Sequence, residues 1–328
     1  MRGRRLPASV APGRLAPAMT LSVPSRSAGR NAGAAAGLGA NPGLGILLSL
    51  ANGLLLVFND TAAKLVLEHL PVGQFMVLRG IAATLLIFGW ICLRGQLRLL
   101  TIHNWPAMAL YAFCMAASTH AFLNALNLMP LGDATAITFA SPIFTTAMAA
   151  LILKEQVGWR RWTAVGIGFL GVLLLLAPTG QGYPLVVTLL PLSVAVFVSV
   201  RDIASRRLSA TDASIAILFY NTAAVTLSGV VTVPFEPAWL MPSNLDLAYI
   251  LGAALMLGLA QYCIVEAYRL AELSLIMPSR YASLVFAALG GYLVWHEVPT
   301  WNVALGAGVI CASGLFIWYR EQRRKAVA

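Results

Sequence analysis

The chain has 328 residues, of which 59% are hydrophobic and only 10% are charged. A soluble domain carries about 25% charged residues, so this composition excludes an ordinary soluble protein and indicates an integral membrane protein. The net charge of +10 would suit a nucleic-acid partner, but the positions of the basic residues give another explanation. The four cysteines lie in apolar runs and show no disulfide or zinc-site spacing.

The first 42 residues are rich in Arg, Pro, Gly, Ala and Ser and contain no acidic residue. This composition predicts a disordered, basic cytosolic tail over 1–42. An organellar targeting peptide has a similar composition and is the alternative. Met19 is a second candidate for the first residue of the protein.

Ten apolar segments follow, each long enough to cross about 30 Å of hydrocarbon as a helix. We therefore expect an all-α integral membrane fold with ten transmembrane helices. The predicted spans are 43–67, 71–93, 105–129, 131–153, 161–178, 184–208, 211–232, 246–270, 273–295 and 300–318. A basic cytosolic tail is expected over 319–328.

Basic residues follow every even-numbered span, and the loops after odd-numbered spans contain none. These residues include Arg94, Arg98, Lys154, Arg160, Arg161, Arg206, Arg207, Arg269, Arg320, Arg323, Arg324 and Lys325. The positive-inside rule then places both termini in the cytosol. We expect the chain to lie in the plasma membrane, the inner membrane of a bacterium. The positive charge is explained by topology, and no nucleic-acid partner is expected.

A shift of 142 positions superposes the two halves of the chain without a gap. It matches Asp60 with Asp202, Lys64 with Arg206, Ser141 with Ser283, Glu155 with Glu297 and Gly166 with Gly308. This register predicts an internal duplication, with five-helix repeats over 43–178 and 184–318. Five is an odd number, so the second copy enters the membrane from the opposite side. Inverted repeats of this kind are the basis of alternating access around a midplane site.

Two five-span repeats resemble the drug/metabolite transporter superfamily, specifically its EamA-type members. The matching motifs are Asp60 in span one, Arg79 in span two, Ala-Leu-Asn-Leu-Met-Pro at 125–130, Ser141-Pro142 in span four, Glu155, and the glycines from Gly166 to Gly171. The resemblance covers about 43–318 and implies transport; such proteins carry amino acids, nucleotide-like metabolites and drugs. The second copy departs from the pattern with Leu284 where the first has Pro142.

Charged residues inside the spans are the strongest site candidates, because charge in hydrocarbon is costly. We expect Asp60 to meet Arg79, and Asp202 to meet Arg280. Such pairs suit helix bracing, and they also suit binding. In the second case Arg79 receives a substrate carboxylate or phosphate, and Asp60 binds an amine or a coupling proton. Lys64 is expected to reach the interface or to pair with Asp60.

Polar groups near the midplane extend the candidate site. His120 matches Tyr262 under the 142-residue shift, although a satisfied buried histidine is the alternative for His120. The predicted substrate-binding set is Asp60, Arg79, His120, Tyr220, Asn221, Tyr262, Arg280 and Tyr281. Glu155 is expected to end its helix or to pair with Arg160 and Arg161.

Spans five and ten carry small residues at helix-packing spacing, which predicts a bracing role or a homodimer through these two helices. The sequence contains no motif for a catalytic, metal or cofactor site and none for ATP. We therefore predict a secondary transporter of a small polar metabolite, with an amino acid or related zwitterion favoured and proton coupling as one option. A membrane-embedded lipid-modifying enzyme and a non-transporting scaffold are the alternatives.

Overall fold

The computed structural model describes residues 41–152, 159–176, 184–270 and 276–325, all within the compact unit Leu38–Ala328. Regular secondary structure in these ranges is entirely helical. The α-helices are α1 (Pro42–Leu67), α2 (Val72–Leu93), α3 (Trp105–Leu128), α4 (Leu131–Thr138), α5 (Ser141–Ile152), α6 (Trp159–Leu176), α7 (Leu185–Thr211), α8 (Ser214–Thr232), α9 (Asn244–Leu270), α10 (Ala282–Trp295) and α11 (Trp301–Lys325). Short 3₁₀ turns lie at Leu97–Leu99, Val233–Phe235 and Met277–Tyr281.

Six of the described helices, α1, α2, α3, α7, α8 and α9, are long and apolar enough to cross a membrane. Shorter apolar stretches lie in α6 (Val165–Leu174) and α11 (Trp301–Phe316). Large apolar side chains such as Leu85, Leu227 and Leu251 lie exposed on the outer faces of the helices. A hydrocarbon environment accepts such surfaces, so the chain is an all-α integral membrane protein.

The predicted fourth span, 131–153, is two helices instead of one. Ala140 N bonds Ile137 O in a tight turn after α4, and Pro142 has no N–H with which to continue the helix. The predicted ninth span, 273–295, contains a similar interruption, because the 3₁₀ turn Met277–Tyr281 precedes α10. Apolar length alone predicted both as continuous helices.

The helices pack in four principal pairs: α1 with α9, α3 with α7, α2 with α8, and α6 with α11. The largest core cluster gathers buried side chains from α1, α2, α3 and α4, among them Phe75, Leu123 and Leu131. Polar and charged residues of α1 and α2, among them Asn59 and Arg79, are therefore buried between packed helices.

Helices α2 and α8 approach closely because three glycines lie at their contact. A Cβ at Gly80 would collide with the Thr226 side chain, and one at Gly229 would lie 2.9 Å from the Gly73 carbonyl oxygen. Small residues allow helix backbones to pack this tightly in membranes. The close approach brings the helices that carry Arg79 and Asn221 together.

Helices α6 and α11 pack against each other within the chain. A Cβ at Gly171 would lie 2.9 Å from Val309 Cγ1 and 3.1 Å from the Gly306 carbonyl oxygen, whereas Gly166 and Gly308 face open space. The bracing role expected for spans five and ten agrees with this contact, and the homodimer stays a prediction.

Several predictions from the sequence fall outside the residues that can be described. The predicted tail 1–42 lies outside the described residues except for residues 41 and 42. Glu155 lies in the range 153–158, which is also outside them, so its expected partnership with Arg160 and Arg161 stays a prediction. At the other end, α11 continues to Lys325, so much of the predicted tail 319–328 is helical.

Candidate functional site

A chain of three polar residues links α1 to α2 inside the bundle. Arg79 Nη1 donates to Asn59 Oδ1 at 3.3 Å, and Asn59 Nδ2 donates to Asp60 Oδ1 at 2.8 Å. Arg79 is 8% exposed and Asn59 is 3% exposed. The guanidinium also lies 5.0 Å from the centre of the Phe75 ring, within cation–π range. The expected direct contact of Asp60 with Arg79 is therefore corrected, because the Asn59 amide lies between the two charges.

A second charged pair lies on α7. Asp202 Oδ1 accepts from Arg201 Nη2 at 2.6 Å and from Arg201 Nε at 3.1 Å. The expected pairing of Asp202 with Arg280 is thus wrong, and Arg280 lies exposed in the 3₁₀ turn before α10. Sequence reasoning missed Arg201 because neighbouring residues on a helix do not normally face each other.

The same three residue types occupy matching positions in the two halves, with two of them exchanged. Asn59, Asp60 and Arg79 match Arg201, Asp202 and Asn221 under the 142-residue shift. The second half therefore also contains an arginine, Arg201, which lies on the first helix of that half instead of the second.

Asn221 is the member of the second set that lies on α8. It is 8% exposed, and its Oδ1 accepts no hydrogen bond within the described part of the chain. An unpaired buried acceptor is costly, so this oxygen has unused capacity to accept a hydrogen bond.

In the described part of the chain, Lys64 contacts a carboxylate, a carbonyl oxygen and an aromatic ring. Its Nζ lies 2.5 Å from Glu297 Oε1, 3.3 Å from the Met129 carbonyl oxygen and 4.6 Å from the centre of the Trp295 ring. Glu297 Oε2 accepts from Leu131 N at 3.1 Å. Lys64 is 9% exposed and its ionic partner is Glu297, so the expected pairing with Asp60 is wrong. The expectation that Lys64 reaches the membrane interface stays a prediction.

The riboflavin transporter of Vibrio cholerae is 31% identical to this chain over 246 residues, which cover 73% of this chain and 74% of that protein. The sequence pattern of the EamA-like transporter family matches residues 43–177. The chain belongs to the EamA-like transporter family.

Other similar proteins extend over more of this EamA-like chain. The S-adenosylmethionine uptake transporter of Rickettsia prowazekii is 27% identical over 272 residues, covering 81% of this chain and 89% of that protein. The pseudopaline exporter of Pseudomonas aeruginosa is 27% identical over the same length, covering 81% and 92%. All three are named as transporters or exporters of small metabolites, and none is named as an enzyme.

A protein of known crystal structure shares the fold. It superposes with a TM-score of 0.61 at 19% identity, covering 85% of this chain and 98% of its own length. The overall architecture of this EamA-like chain is therefore found in an experimentally determined structure.

Three predicted site residues of the EamA-like chain have neighbours other than Asn59, Asp60 and Arg79. His120 is partly buried on α3, and its carbonyl oxygen accepts from Asn124 Nδ2 at 2.8 Å. Tyr262 is 55% exposed and packs edge-on against Trp90 at 6.4 Å. Tyr220 packs between Trp105 at 5.4 Å and Phe219 at 5.5 Å.

Tyr281 lies where the two helix interruptions meet. Its ring centre is 5.5 Å from that of Phe139, the residue that ends α4. A Cβ at Gly314 of α11 would collide with the Tyr281 hydroxyl, so the tyrosine fits only because this position is glycine.

The Lys64–Glu297 contact was missed because the partners are 233 positions apart. One sequence signal pointed to it. Under the 142-residue shift a basic residue recurs at Lys64 and Arg206, and a glutamate recurs at Glu155 and Glu297. The recurrence of both charges in an apolar chain indicates that the basic and the acidic position pair with each other.

Proposed function

We propose that this chain is a secondary transporter of a small zwitterionic metabolite, an amino acid or a molecule with an amino-acid group. The observation that carries the proposal is the Arg79–Asn59–Asp60 chain between α1 and α2. Arg79 presents a guanidinium for a carboxylate, and Asp60 presents a carboxylate for an ammonium group. Asn59 keeps the two charges from neutralising each other directly, so each remains available to a solute.

The names of the relatives are compatible with a small metabolite as the solute, but they do not select a particular one. They are named for riboflavin, S-adenosylmethionine and pseudopaline. S-adenosylmethionine itself carries an amino-acid group, which fits the charges of Asp60 and Arg79. Family membership alone is therefore compatible with several solutes, and we base the proposed zwitterion on the charges of Asp60 and Arg79.

Alternating access between inverted repeats is the proposed mechanism. The 142-residue shift exchanges the pair α1–α9 with the pair α7–α3, and it maps α2–α8 and α6–α11 onto themselves. Phe139 and Tyr281, which match under the shift, touch each other. Equivalent residues meet in this way at a two-fold axis. Ten spans are counted when α4 with α5, and 276–295, each form one interrupted crossing, a common feature of transporters.

Both termini are proposed to lie in the cytosol, with the protein in the bacterial inner membrane. The proposal rests on the basic residues that follow the even-numbered spans. Proton coupling through Asp60 remains part of the proposal.

The test is solute exchange by the purified protein in lipid vesicles. We expect wild type to exchange labelled zwitterions. Asp60→Asn should lose solutes that bear an ammonium group, and Arg79→Gln those that bear a carboxylate. Arg98→Gln, in the exposed turn after α2, is the matched control. The double variant Asp60→Asn/Arg79→Gln should fold without transporting, because removal of both charges strands neither.

Two results would overturn this function. One is transport at the wild-type rate by the folded double variant, normalised to inserted protein. The other is a wild-type protein that carries only uncharged solutes.

A further inference from the structure

A cleft of about 320 Å³ opens at the end of the bundle where α1, α3 and α10 finish. It is lined by Lys64, Glu68, residues 126–130, Trp295 and Glu297. Its volume is that of a small metabolite site, since ligand pockets begin at about 300 Å³. In the proposed orientation this end of the bundle faces away from the cytosol.

The cleft is negative overall. Three helices end at its wall, at Leu67, Leu128 and Trp295, and α4 begins there at Leu131. Each helix C-terminus carries about half a negative elementary charge and an N-terminus about half a positive one, so the helix ends together leave a negative charge. The lining also holds two carboxylates, Glu68 and Glu297, against one base, Lys64. Such a site attracts cations.

Lys64 is bound in the way that a foreign ammonium group would be bound. A carboxylate oxygen of Glu297, a carbonyl oxygen at the end of α3 and the face of Trp295 surround its Nζ. The Trp295 indole is itself fixed, because its Nε1 donates to Glu68 Oε1 at 2.8 Å. The structure thus contains a formed ammonium site that the protein's own lysine occupies.

We propose that this cleft is a recognition site for the ammonium group of the transported solute, which takes the place of Lys64 at Glu297 and Trp295. The inference rests on the proposed zwitterion transport. Displacement of Lys64 breaks the ionic contact that joins α1 to Glu297, two residues beyond the end of α10. Arrival of the solute and release of this end of the bundle are therefore one event.

The first test measures binding without transport. In Lys64→Met the Glu297 carboxylate loses its cation. Ethylammonium should then bind in its place and raise the melting temperature of this variant by a few degrees. Lys64→Met/Glu297→Gln, which lacks the carboxylate, should not respond, and equal sodium chloride is the ionic control. A response that is equal in the two variants, or absent from both, would refute the ammonium site.

The second test separates recognition from bracing. Glu297→Gln should raise the half-saturation concentration of ammonium-bearing solutes about tenfold, the scale of one lost charge-assisted contact. Lys64→Met should lower it, because the solute no longer competes with the lysine. A purely structural ion pair would impair both variants alike, and that result would sink this inference while leaving zwitterion transport intact. Absence of zwitterion exchange in wild type would instead refute the proposed function, whatever ethylammonium does.

Discussion

At the scale of single residues, Asn59 matters because it bonds two charged groups at once, the buried Arg79 and the partly buried Asp60. It accepts from Arg79 and donates to Asp60, so each end of the amide bonds a charged group. A hydrogen bond to a charged group contributes about 1.5–3 kcal/mol. The sequence identified both charges but could not show that an amide lies between them, since hydrophobic patterning carries no information on side-chain hydrogen bonds.

We therefore expect Asn59→Ala to reduce the free energy of unfolding by about 1–3 kcal/mol, because Arg79 loses its buried acceptor. Asn124→Ala is the matched control. Its amide is exposed and bonds only the His120 carbonyl oxygen one turn away, so the effect should stay below about 0.5 kcal/mol. Unfolding in detergent followed by circular dichroism measures both. Equal losses in the two variants would contradict the bridging role of Asn59.

Asp212, at the end of α7, supports a prediction on pH. Its carboxylate accepts from Thr211 Oγ1 at 2.6 Å and from His103 N at 2.5 Å. These bonds hold the pKa of Asp212 below its usual range, and the bond from Thr211 has the largest effect. A lowered pKa in the folded state stabilises the protein above the unfolded pKa of about 3.9, and this contribution is lost as pH falls through the folded value.

Asp212→Asn should accordingly lower the melting temperature throughout pH 5 to 8, where the carboxylate is charged. The gap from wild type should then narrow as pH falls below about 4. Melting curves of both proteins across this range provide the measurement. A gap that widens on acidification would mean that the charged carboxylate is not what stabilises this turn.

At the scale of elements, the sequence predicted long continuous helices well and interrupted ones poorly. α1, α2 and α3 lie within one residue of the predicted 43–67, 71–93 and 105–129, because their apolar stretches end at polar or proline-containing turns. The break between α4 and α5 lies inside an unbroken apolar run. Pro142 follows the break and is visible in the sequence, whereas the contact of Phe139 with Tyr281 beside it is tertiary and is not revealed by a single sequence.

The packing around that break can be tested at Gly314. Gly314→Ala should destabilise the protein by about 1–3 kcal/mol, because the added methyl group meets the Tyr281 hydroxyl. Gly308→Ala on the same helix is the control. Nothing lies within 4 Å of a Cβ there, and alanine favours the helix over glycine. Adding Tyr281→Phe to Gly314→Ala should recover part of the loss. Similar melting temperatures for the two single variants would show that Tyr281 does not depend on Gly314.

At the scale of the whole molecule, the orientation in the membrane is predicted from the basic residues in the loops, and the helix packing does not determine it. We expect cysteine at position 241, where Met241 is 95% exposed, to react with a membrane-impermeant reagent added outside intact cells. Leu97→Cys, in the turn after α2, should react only after the membrane is opened. Both substitutions are made in a background without the four native cysteines. The reverse pattern would invert the proposed topology, and labelling of both sites from outside would remove the basis for two inverted halves.

Exchange of Asn and Arg between the two halves has a thermodynamic consequence for the direction of transport. A carrier with identical halves would present the same affinity to both sides of the membrane. Here the arginine lies on α2 in one half and on α7 in the other. Under the proposed alternating-access mechanism, the inward- and outward-open forms would therefore bind a solute with unequal affinity. Without an energy source, detailed balance requires the ratio of maximal rate to half-saturation concentration to be the same for influx and efflux. The face with the tighter site must then also have the lower maximal rate. Without coupling to a proton gradient, such a carrier would favour one direction kinetically but could not accumulate solute.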